Sequence, residues 1–474
     1  MADLTAIFKA YDVRGLVPEQ LDEPTVRMIG VAFATEVGAA PGVVVGHDMR
    51  ASSPGLAAAF ADGVRDTGAN VTMIGLASTD ELYFASGRLA MPGAMITASH
   101  NAAAYNGIKL CRAGAVALAE DTGLRTIREL VSGRTDASAP ASRHPSDFPV
   151  SVAAADRSVL PAASGRGTLE SVDLLADYAS YLHELVSVRG RRLHVVVDAG
   201  NGMAGRSVPA VFAGLDIELS RLYFELDGTF PHHDANPLDP SNLLDLRRAV
   251  VDRDADLGLA FDGDADRCFV VDERGEVVSP SALTALIAIR MLAVEPGAHI
   301  IHNAITSRAV PEAITRHGGV PVRTRVGHSL IKATMAEIDA VFGGEHSGHF
   351  YFRDFWYADS GMLAALHLLS EAAQTWGPVS ELVADLDPYV ASGEINSTVP
   401  DTRMVIDKVR TEYDGRSDVQ LDWLDGLTIS GGQWWFNVRA SKTEPVLRLN
   451  VEADTFETMI AIRDQVLALM RRPQ

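Results

Sequence analysis

Six short apolar runs, each ending in a polar turn, constrain the fold of this chain more than any other feature. They are rich in aliphatic side chains and occupy residues 43–45, 94–96, 194–197, 258–261, 299–301 and 340–342. Such runs are typical of buried strands that lead into loops. Helix-like stretches lie between them, at 54–67, 241–252 and 310–317. The alternation of strand and helix signals predicts an α/β fold.

The six runs also form three successive pairs, and each pair ends in a conspicuous polar loop. The loops after the second run of each pair begin at Ser99, Asp262 and Gly343. The spacing between pairs varies by tens of residues, so the pattern is weaker than a strict repeat. Strand–loop pairs also occur in α/β proteins without repeats. We nevertheless expect three related units.

Composition indicates where these units end and which partners are excluded. Residues 133–168 are rich in Ala, Ser, Pro and Arg without a clear period, which indicates a linker or exposed loop. The pattern changes again near residue 392, and strand-like segments at 427–429, 434–438 and 447–451 precede a helix at 455–470. The formal net charge of −21 argues against a broad surface for nucleic acid or anionic membrane.

The remaining global features are those of a cytoplasmic protein. A length of 474 residues allows three or four domains. The two cysteines, Cys111 and Cys268, provide no disulfide framework. The first residues carry charges and no apolar signal core, and no apolar stretch reaches the roughly 20 residues of a membrane span. We therefore expect a soluble cytoplasmic protein with no membrane partner.

A polar turn around Ser99 is the first candidate for chemistry. Ser99 follows an apolar run and is followed by His100, Asn101 and, a few residues later, Lys109. The hydroxyl is a potential nucleophile, and His100 or Lys109 could accept or supply a proton. A serine in an ordinary turn is the alternative, but the neighbouring His, Asn and Lys favour a functional interpretation.

Three carboxylates at alternate positions form the second candidate. Asp262, Asp264 and Asp266 point the same way on extended backbone, and like charges on one face are stabilised by a cation. A calcium loop is the alternative, because Glu273 falls at its twelfth position. Arg267 stands where that loop needs Gly, and an apolar run follows directly. We therefore predict a magnesium site that borrows an oxygen from a phosphate.

Two later segments have the composition of ligand-binding loops. The Gly-flanked residues 344–349 offer acceptors and donors suited to a sugar, with Glu345 accepting from hydroxyl groups. A second stretch offers the cations and hydroxyls that bind a phosphate dianion; its candidate residues are Arg439, Ser441, Lys442, Thr443 and Arg448. We also assign His328, after a Gly, to a polar site. The alternative for residues 344–349 is an ordinary surface turn, and the alternative for the basic stretch is a solvated strand edge.

Taken together, these motifs resemble those of the α-D-phosphohexomutases, in particular the bacterial phosphomannomutase and phosphoglucomutase branch. The resemblance covers nearly the whole chain and rests on residues 11–15, 97–109, 262–267, 327–329, 345–349 and 439–448. It implies four domains around a central cleft, three of one mixed α/β type and a smaller C-terminal α+β domain. The corresponding expected boundaries are 1–150, 151–275, 276–390 and 391–474.

The resemblance also implies roles for individual residues. Ser99 would be carried as phosphoserine and would complete a Mg²⁺ site made by Asp262, Asp264 and Asp266. Ser99, His100, Lys109 and Arg14 would be catalytic, with Lys109 the first candidate for the base and His100 the second. Substrate would be bound by Tyr11, Arg267, His328, Glu345, His346, Ser347, His349, Arg439, Ser441, Lys442, Thr443 and Arg448.

The implied reaction is the interconversion of mannose 6-phosphate and mannose 1-phosphate through a hexose 1,6-bisphosphate, which would also serve as activator. Glucose phosphate is the alternative substrate, followed by glucosamine phosphate and a non-catalytic sugar-phosphate sensor. The partners would be small hexose phosphates and no nucleic acid, with the chain a monomer or small homo-oligomer. Departures from the family pattern are Ala102, Lys442 and Ile305, of which Ile305 predicts a missing or replaced phosphate contact.

Overall fold

The computed structural model describes residues 3–39, 41–133, 165–441 and 446–471. These residues form one seven-stranded and three five-stranded β-sheets, each associated with helices from the same part of the chain. The predicted α/β fold is confirmed. Residues 134–164, most of the predicted linker, lie outside the described residues. Among the described residues, no helix has both the length and the apolar character needed to cross a membrane.

The first sheet and its helices comprise α1 (Leu4–Ile7), β1 (Val13–Leu16), α2 (Glu23–Val37), β2 (Val43–His47), α3 (Ser53–Asp66), β3 (Val71–Leu76), α4 (Thr79–Leu89), β4 (Gly93–Ile96), β5 (Tyr105–Arg112), β6 (Val116–Ala117), α5 (Arg125–Val131) and β7 (Leu169–Ser171). The second comprises α6 (Leu175–Leu185), β8 (Leu193–Asp198), α7 (Ala204–Val211), β9 (Ile217–Leu222), α8 (Leu244–Asp252), β10 (Leu257–Phe261), β11 (Cys268–Asp272) and β12 (Val277–Val278).

The third sheet and its helices comprise α9 (Pro280–Val294), β13 (His299–Asn303), α10 (Ala309–Arg316), β14 (Val320–Thr324), α11 (His328–Ile338), β15 (Phe342–Gly344), β16 (Phe350–Phe352), β17 (Ala358–Asp359), α12 (Gly361–Gln374) and α13 (Val379–Ala384). The fourth comprises β18 (Val390–Thr398), α14 (Thr402–Tyr413), β19 (Gln420–Asp422), β20 (Leu427–Ser430), β21 (Trp434–Ala440), β22 (Val446–Ala453) and α15 (Phe456–Arg471). We call these four groups domains I to IV.

Domains I to III share one strand order. Three parallel strands are followed by an antiparallel partner, in the orders β3–β2–β4–β5, β9–β8–β10–β11 and β14–β13–β15–β16. The two apolar runs of each predicted pair form the second and third of these strands, which explains the repetition in the sequence. The polar loops after β4, β10 and β15 therefore occupy equivalent places at the carboxyl end of a parallel strand.

The first domain extends further along the chain than expected. Strand β7 pairs in parallel with β3, at Leu169 opposite Val71, and so belongs to the first sheet. The expected boundary at residues 150 and 151 would assign this strand to the second domain. A three-residue strand with exposed side chains carries no apolar pattern, so its pairing could not be predicted from its own residues.

Domains I to III share an apolar core, whereas domain IV has its own. One apolar cluster runs through domains I, II and III and includes Leu82, Val195 and Phe342. Domain IV has a separate cluster, which includes Val409 and Phe436. The first three domains are therefore held to one another by shared apolar burial, whereas the fourth packs around its own core.

Helix α4 begins where domains I, II and III meet. The buried carboxylate of Asp80 accepts hydrogen bonds from Ser78 Oγ (2.5 Å), Tyr178 Oη (2.6 Å) and Ser360 Oγ (2.8 Å). These three donors come from domains I, II and III respectively. Burial raises the pKa of Asp80 to about 6, although all three hydrogen bonds oppose the shift. The start of α4 is thus fixed against both neighbouring domains.

Candidate active site

The serine turn lies between β4 and β5, and its backbone is held in an unusual conformation. Ser99 is buried and has φ of 51°, in the left-handed region that non-Gly residues rarely adopt. Its backbone N–H donates to Thr97 Oγ1 at 2.9 Å. A residue held in such a conformation stores backbone strain of about 1–3 kcal/mol, which is a recurrent property of functional sites.

Arg50, which follows β2, fixes the shape of this turn. Its buried guanidinium donates to the carbonyl oxygens of Ser99 (2.8 Å), Asn101 (2.6 Å), Ala102 (2.9 Å) and Tyr105 (3.0 Å). The fork of an arginine is suited to several acceptors at once because its donors are planar and fixed. One side chain therefore binds four carbonyl oxygens in and next to the turn.

A buried carboxylate balances the charge of Arg50. Asp48 Oδ2 lies 3.2 Å from Arg50 Nε, and Asp48 Oδ1 accepts from Ser53 Oγ at 2.5 Å. Burial raises the pKa of Asp48 despite the opposing charge of Arg50. The predicted catalytic residue Arg14 approaches the same turn from β1 and donates to Asn101 Oδ1 and to Asp12 Oδ2.

The acidic loop of domain II meets the serine turn directly. Ser99 Oγ donates to Asp262 Oδ2 at 2.7 Å, although 163 residues separate the two positions. Gly263 makes this approach possible, since a Cβ there would lie only 2.5 Å from the Ser99 carbonyl oxygen. His100 Nδ1 also lies 3.1 Å from Ser99 Oγ. The structure thus brings together the hydroxyl, the acidic triplet and one candidate base.

The three aspartates have the properties of a metal site. They are buried, and one carboxylate oxygen from each lies within 4.8 Å of the others. Asp264 Oδ1 and Asp266 Oδ1 are buried without a hydrogen-bond partner among the described residues. Buried carboxylate oxygens without donors are unfavourable unless a cation binds them. An all-oxygen set of this kind fits Mg²⁺.

Two cations lie against the triplet. Arg267 Nε donates to Asp262 Oδ2 at 2.9 Å, and Lys109 Nζ contacts Asp264 Oδ2 at 2.6 Å and Asp266 Oδ2 at 2.5 Å. Burial raises the pKa of Asp262 to about 7, and the charge of Arg267 only partly opposes this. Burial alone lowers the pKa of Lys109, but the neighbouring carboxylates reverse the shift and raise it.

The calcium-loop alternative does not fit this geometry. Residues 262–267 form a tight turn between β10 and β11, and the whole of β11 separates them from Glu273. Glu273 instead accepts from Ser380 Oγ at 2.5 Å and from the Ser380 backbone N–H at 3.1 Å. The residue required at the twelfth ligand position is therefore engaged elsewhere.

The loop after β15 places a buried acid beside the metal loop. Glu345 accepts from Tyr351 Oη (2.7 Å) and from Asn303 Nδ2 (3.2 Å). His349 forms an antiparallel bridge with Arg267, and its Nε2 lies 3.8 Å from Asp266 Oδ1. Ser347 Oγ is 2.9 Å from His349 Nδ1. The predicted sugar residues of domain III are thus continuous with the acidic loop.

Tyr11 and His328 form another junction in the cleft, between domains I and III. Their rings are 5.0 Å apart in an edge-to-face arrangement. Burial lowers the pKa of His328 to about 3, and that of His100 also falls well below its usual value because of burial. Both imidazoles are therefore neutral near pH 7 and available as hydrogen-bond donors and acceptors.

The basic stretch of domain IV lies on β21 and β22. Arg439 and Arg448 are cross-strand partners, and both contact one carboxylate, Glu394, at 2.6 and 3.2 Å. Ser441 donates its backbone N–H to Val446 O at 2.9 Å. The predicted contacts of Lys442 and Thr443 lie outside the described residues. The charge of Glu394 also acts on the sugar loop, because it opposes the lowering of the pKa of half-buried His346 that burial causes.

Comparison with known proteins identifies the family. Four domain profiles match, described as the alpha/beta/alpha domains I, II and III and the C-terminal domain of phosphoglucomutase/phosphomannomutase, over residues 5–137, 176–275, 279–389 and 394–469. The chain belongs to the phosphoglucomutase/phosphomannomutase family. This is the phosphohexomutase family that the motifs resembled, and its members are enzymes that move a phosphoryl group within a sugar phosphate.

Individual members of the family match over the full length. A protein of Xanthomonas campestris named phosphohexose mutases is 39% identical over 98% of this chain and 99% of its own. A phosphomannomutase of Escherichia coli is 38% identical over 99% of this chain and 100% of its own. A crystal structure of a phosphoglucomutase/phosphomannomutase family protein from Burkholderia thailandensis has a TM-score of 0.85, with 32% identity over 99% and 98% of the chains.

Several site residues of this family member were not predicted from the sequence. Arg50 and Asp48 follow an apolar run whose end was noted only as polar, and Glu394 lies next to residue 392, where only a change of pattern was noted. Thr79 donates to Asp264 from α4, a helix that carried no motif. Asp48 and Arg50 are opposite charges at alternate positions shortly after the apolar run 43–45. This spacing was the signal in the sequence that could have indicated them.

Replacement of Arg50 tests its role in the serine turn. We expect Arg50→Lys to lower the free energy of unfolding by about 1–3 kcal/mol, because an ammonium group cannot reach all four carbonyls. Urea unfolding measures this loss, and Arg416→Lys, which alters an exposed ion pair with Asp418, is the control. The turn should also lose its fixed shape, so mutase activity should fall. Unchanged stability and activity in the Arg50 variant would contradict this role.

Proposed function

We propose that this protein is a phosphomannomutase that interconverts mannose 6-phosphate and mannose 1-phosphate. The observation that carries the proposal is the contact between Ser99 Oγ and Asp262 Oδ2 at 2.7 Å, within a buried acidic cluster. A hydroxyl beside a magnesium-type site is the arrangement that phosphoryl transfer requires. The relatives named phosphomannomutase support the choice of sugar.

The proposed reaction begins with Ser99 as a phosphoserine. The bond between phosphorus and Ser99 Oγ breaks while a new bond forms to the free hydroxyl oxygen of the hexose phosphate. The proton of that hydroxyl passes to a base, and the product is a hexose 1,6-bisphosphate. After the bisphosphate turns end over end, the bond from its other phosphorus to the sugar oxygen breaks while a bond to Ser99 Oγ re-forms. The base returns its proton to that sugar oxygen, and the isomeric monophosphate leaves. Bound Mg²⁺ would neutralise charge on the transferred group.

Lys109 and His100 remain the candidates for the base. Asp264 and Asp266 raise the pKa of Lys109, so the side chain holds its proton as long as these contacts persist. Lys109 therefore acts as a base only when these two contacts are given up. His100 is neutral and already lies 3.1 Å from Ser99 Oγ, so it needs no such change. Arg267, held by Asp262, is placed to balance charge at the same hydroxyl.

We propose that domain III holds the sugar and domain IV holds the phosphate that is not reacting. Glu345 would accept from sugar hydroxyls beside His346, Ser347 and His349. Arg439 and Arg448 converge on one carboxylate, which is the convergence of donors that a phosphate dianion also needs. Ser441, Lys442 and Thr443 would complete this site.

The turning of the intermediate requires a phosphate site that can open, and the contacts of domain IV with domain III suit this. They are polar: the Val326 N–H donates to Asp425 Oδ2 at 2.9 Å, and the Arg308 N–H donates to Glu452 Oε1 at 3.2 Å. Polar interfaces between domains with separate cores permit relative motion.

The cytoplasmic location stays a prediction, as does the state of monomer or small homo-oligomer.

Ser99→Ala tests the nucleophile. We expect this variant to fold normally but to lose mutase turnover, because no other hydroxyl contacts Asp262 among the described residues. Intact-mass measurement of the wild-type protein should give one added phosphate that maps to Ser99, absent in the variant. Ser132→Ala, which removes only an exposed hydrogen bond from the serine hydroxyl to the Glu129 carbonyl oxygen, should retain both phosphate and activity. Near-normal turnover by Ser99→Ala would end the proposal.

Removal of divalent cations tests the metal. We expect exhaustive chelation to stop the reaction and added Mg²⁺ to restore it, because the buried carboxylates would otherwise repel the incoming phosphate. The measurement is mutase activity before chelation, after it and after titration with Mg²⁺. A fully active chelated enzyme would exclude the metal from the reaction.

A comparison of substrates tests the sugar. We expect the highest kcat/KM with mannose 1-phosphate, lower values with glucose 1-phosphate and the lowest with glucosamine 6-phosphate, each assayed at the same concentration of hexose 1,6-bisphosphate. A preference for glucose 1-phosphate would reassign the protein as a phosphoglucomutase without changing the mechanism. A preference for glucosamine 6-phosphate would overturn the choice of branch.

A further inference from the structure

One of the three aspartates receives hydrogen bonds from a residue of another domain. Thr79, the first residue of α4 in domain I, donates its hydroxyl to Asp264 Oδ2 at 2.5 Å. The backbone N–H of Thr79 also donates to the backbone oxygen of Asp264 at 3.0 Å. Thr79 is fully buried, so both hydrogen bonds are shielded from solvent. The two contacts hold the main chain and the side chain of Asp264 at once.

The two carboxylate oxygens of Asp264 have different surroundings. Oδ2 of Asp264 receives the Thr79 hydroxyl and the Lys109 ammonium, the latter at 2.6 Å. Oδ1 is buried and has no partner among the described residues. Two donors on one oxygen fix the rotation of a carboxylate, so the other oxygen is held in one place and remains available to a cation. Lys109 also contacts Asp266, whereas the Thr79 hydroxyl contacts Asp264 alone.

We propose that Thr79 is a positioning residue for the divalent cation, acting from domain I on a ligand of domain II. The inference rests on the proposed function, because the cation is part of that mechanism. Hydrogen bonds that orient a metal ligand typically change metal affinity or activity by about 10–100-fold when they are removed. The Thr79 hydroxyl orients the Asp264 carboxylate so that Oδ1 can bind the metal. The backbone N–H of Thr79 holds the main chain of the acidic loop against domain I.

The surroundings of Thr79 explain how one hydroxyl can impose this geometry. The next residue, Asp80, is hydrogen-bonded to Tyr178 of domain II and Ser360 of domain III. The start of α4 is therefore fixed independently of the acidic loop, and Asp264 must adapt to Thr79 rather than the reverse. Cation binding and the docking of domain I on domain II are consequently linked through this one contact.

Thr79→Val and Thr79→Ser separate the hydroxyl from the shape of the side chain. Valine keeps the volume and the backbone N–H but loses the donor, whereas serine keeps the donor. We expect Thr79→Val to weaken Mg²⁺ binding by about 10–100-fold, measured by isothermal titration calorimetry on protein with matched Ser99 phosphorylation. Thr79→Ser should bind within about threefold of the wild type, since the hydrogen bond is retained.

Thr72→Val is the matched control. Thr72 is also buried in domain I and donates its hydroxyl to a carboxylate, Glu170, at 2.8 Å, but this pair lies between β3 and β7. Its Mg²⁺ affinity should equal that of the wild type. Thermal unfolding in chelator checks that each variant is folded before titration, and Thr79→Ala replaces Thr79→Val if valine prevents folding, with the same expected weakening.

The outcomes distinguish this inference from the proposed function. Mg²⁺ affinity in Thr79→Val or Thr79→Ala equal to that of the wild type would overturn the positioning role and leave the mutase assignment intact. Equal weakening in Thr79→Ser would also overturn it, because the cause would then be packing and not the hydroxyl. A wild-type protein that binds no Mg²⁺ would overturn both this inference and the metal in the proposed reaction.

Discussion

The close approach of two loops from different domains is the constraint on which the rest of the cleft depends. The serine turn and the acidic loop meet so tightly that any side chain at Gly263 would clash with the Ser99 carbonyl oxygen. The Ser99 hydroxyl reaches Asp262 only because of this approach. Equivalent strand orders place both loops at the carboxyl ends of parallel strands, and the shared apolar core of domains I to III keeps them there.

The charges buried at this meeting point explain why a cation and a phosphate belong to it. Three carboxylates against Arg267 and Lys109 leave a formal charge of −1 in a region shielded from solvent. An uncompensated buried charge is costly by several kcal/mol. A divalent cation reverses the sign of the cluster, and the result is attractive to a phosphate dianion. In the proposed reaction the same cluster would bind the metal, position the phosphoserine and stabilise the transferred group, without any additional basic residue at the acidic loop.

The sequence predicted those parts of the site whose residues are close together in the chain. Asp262, Asp264 and Asp266 form a recognisable spacing, and Ser99 lies in a motif of neighbouring polar residues. Thr79 could not be predicted in this way, because its partner Asp264 is 185 positions away and its chemistry is ordinary. The α/β fold followed from apolar runs, but β7 did not, since its pairing depends on a neighbouring strand and not on its own side chains.

The two kinds of domain contact would also allow the proposed mechanism to combine a rigid reaction centre with a movable phosphate site. The proposed nucleophile and metal ligands must stay within hydrogen-bond distance, and the apolar core shared by domains I to III provides that rigidity. The strands of domain IV that carry the proposed phosphate site have a separate core and reach domain III through polar contacts such as Val326 to Asp425. Glu394 pairs Arg439 with Arg448, which would otherwise repel each other across β21 and β22. In the proposed phosphate site, an entering phosphate would therefore meet two guanidinium groups already brought together, and it would share them with a carboxylate that also favours its release.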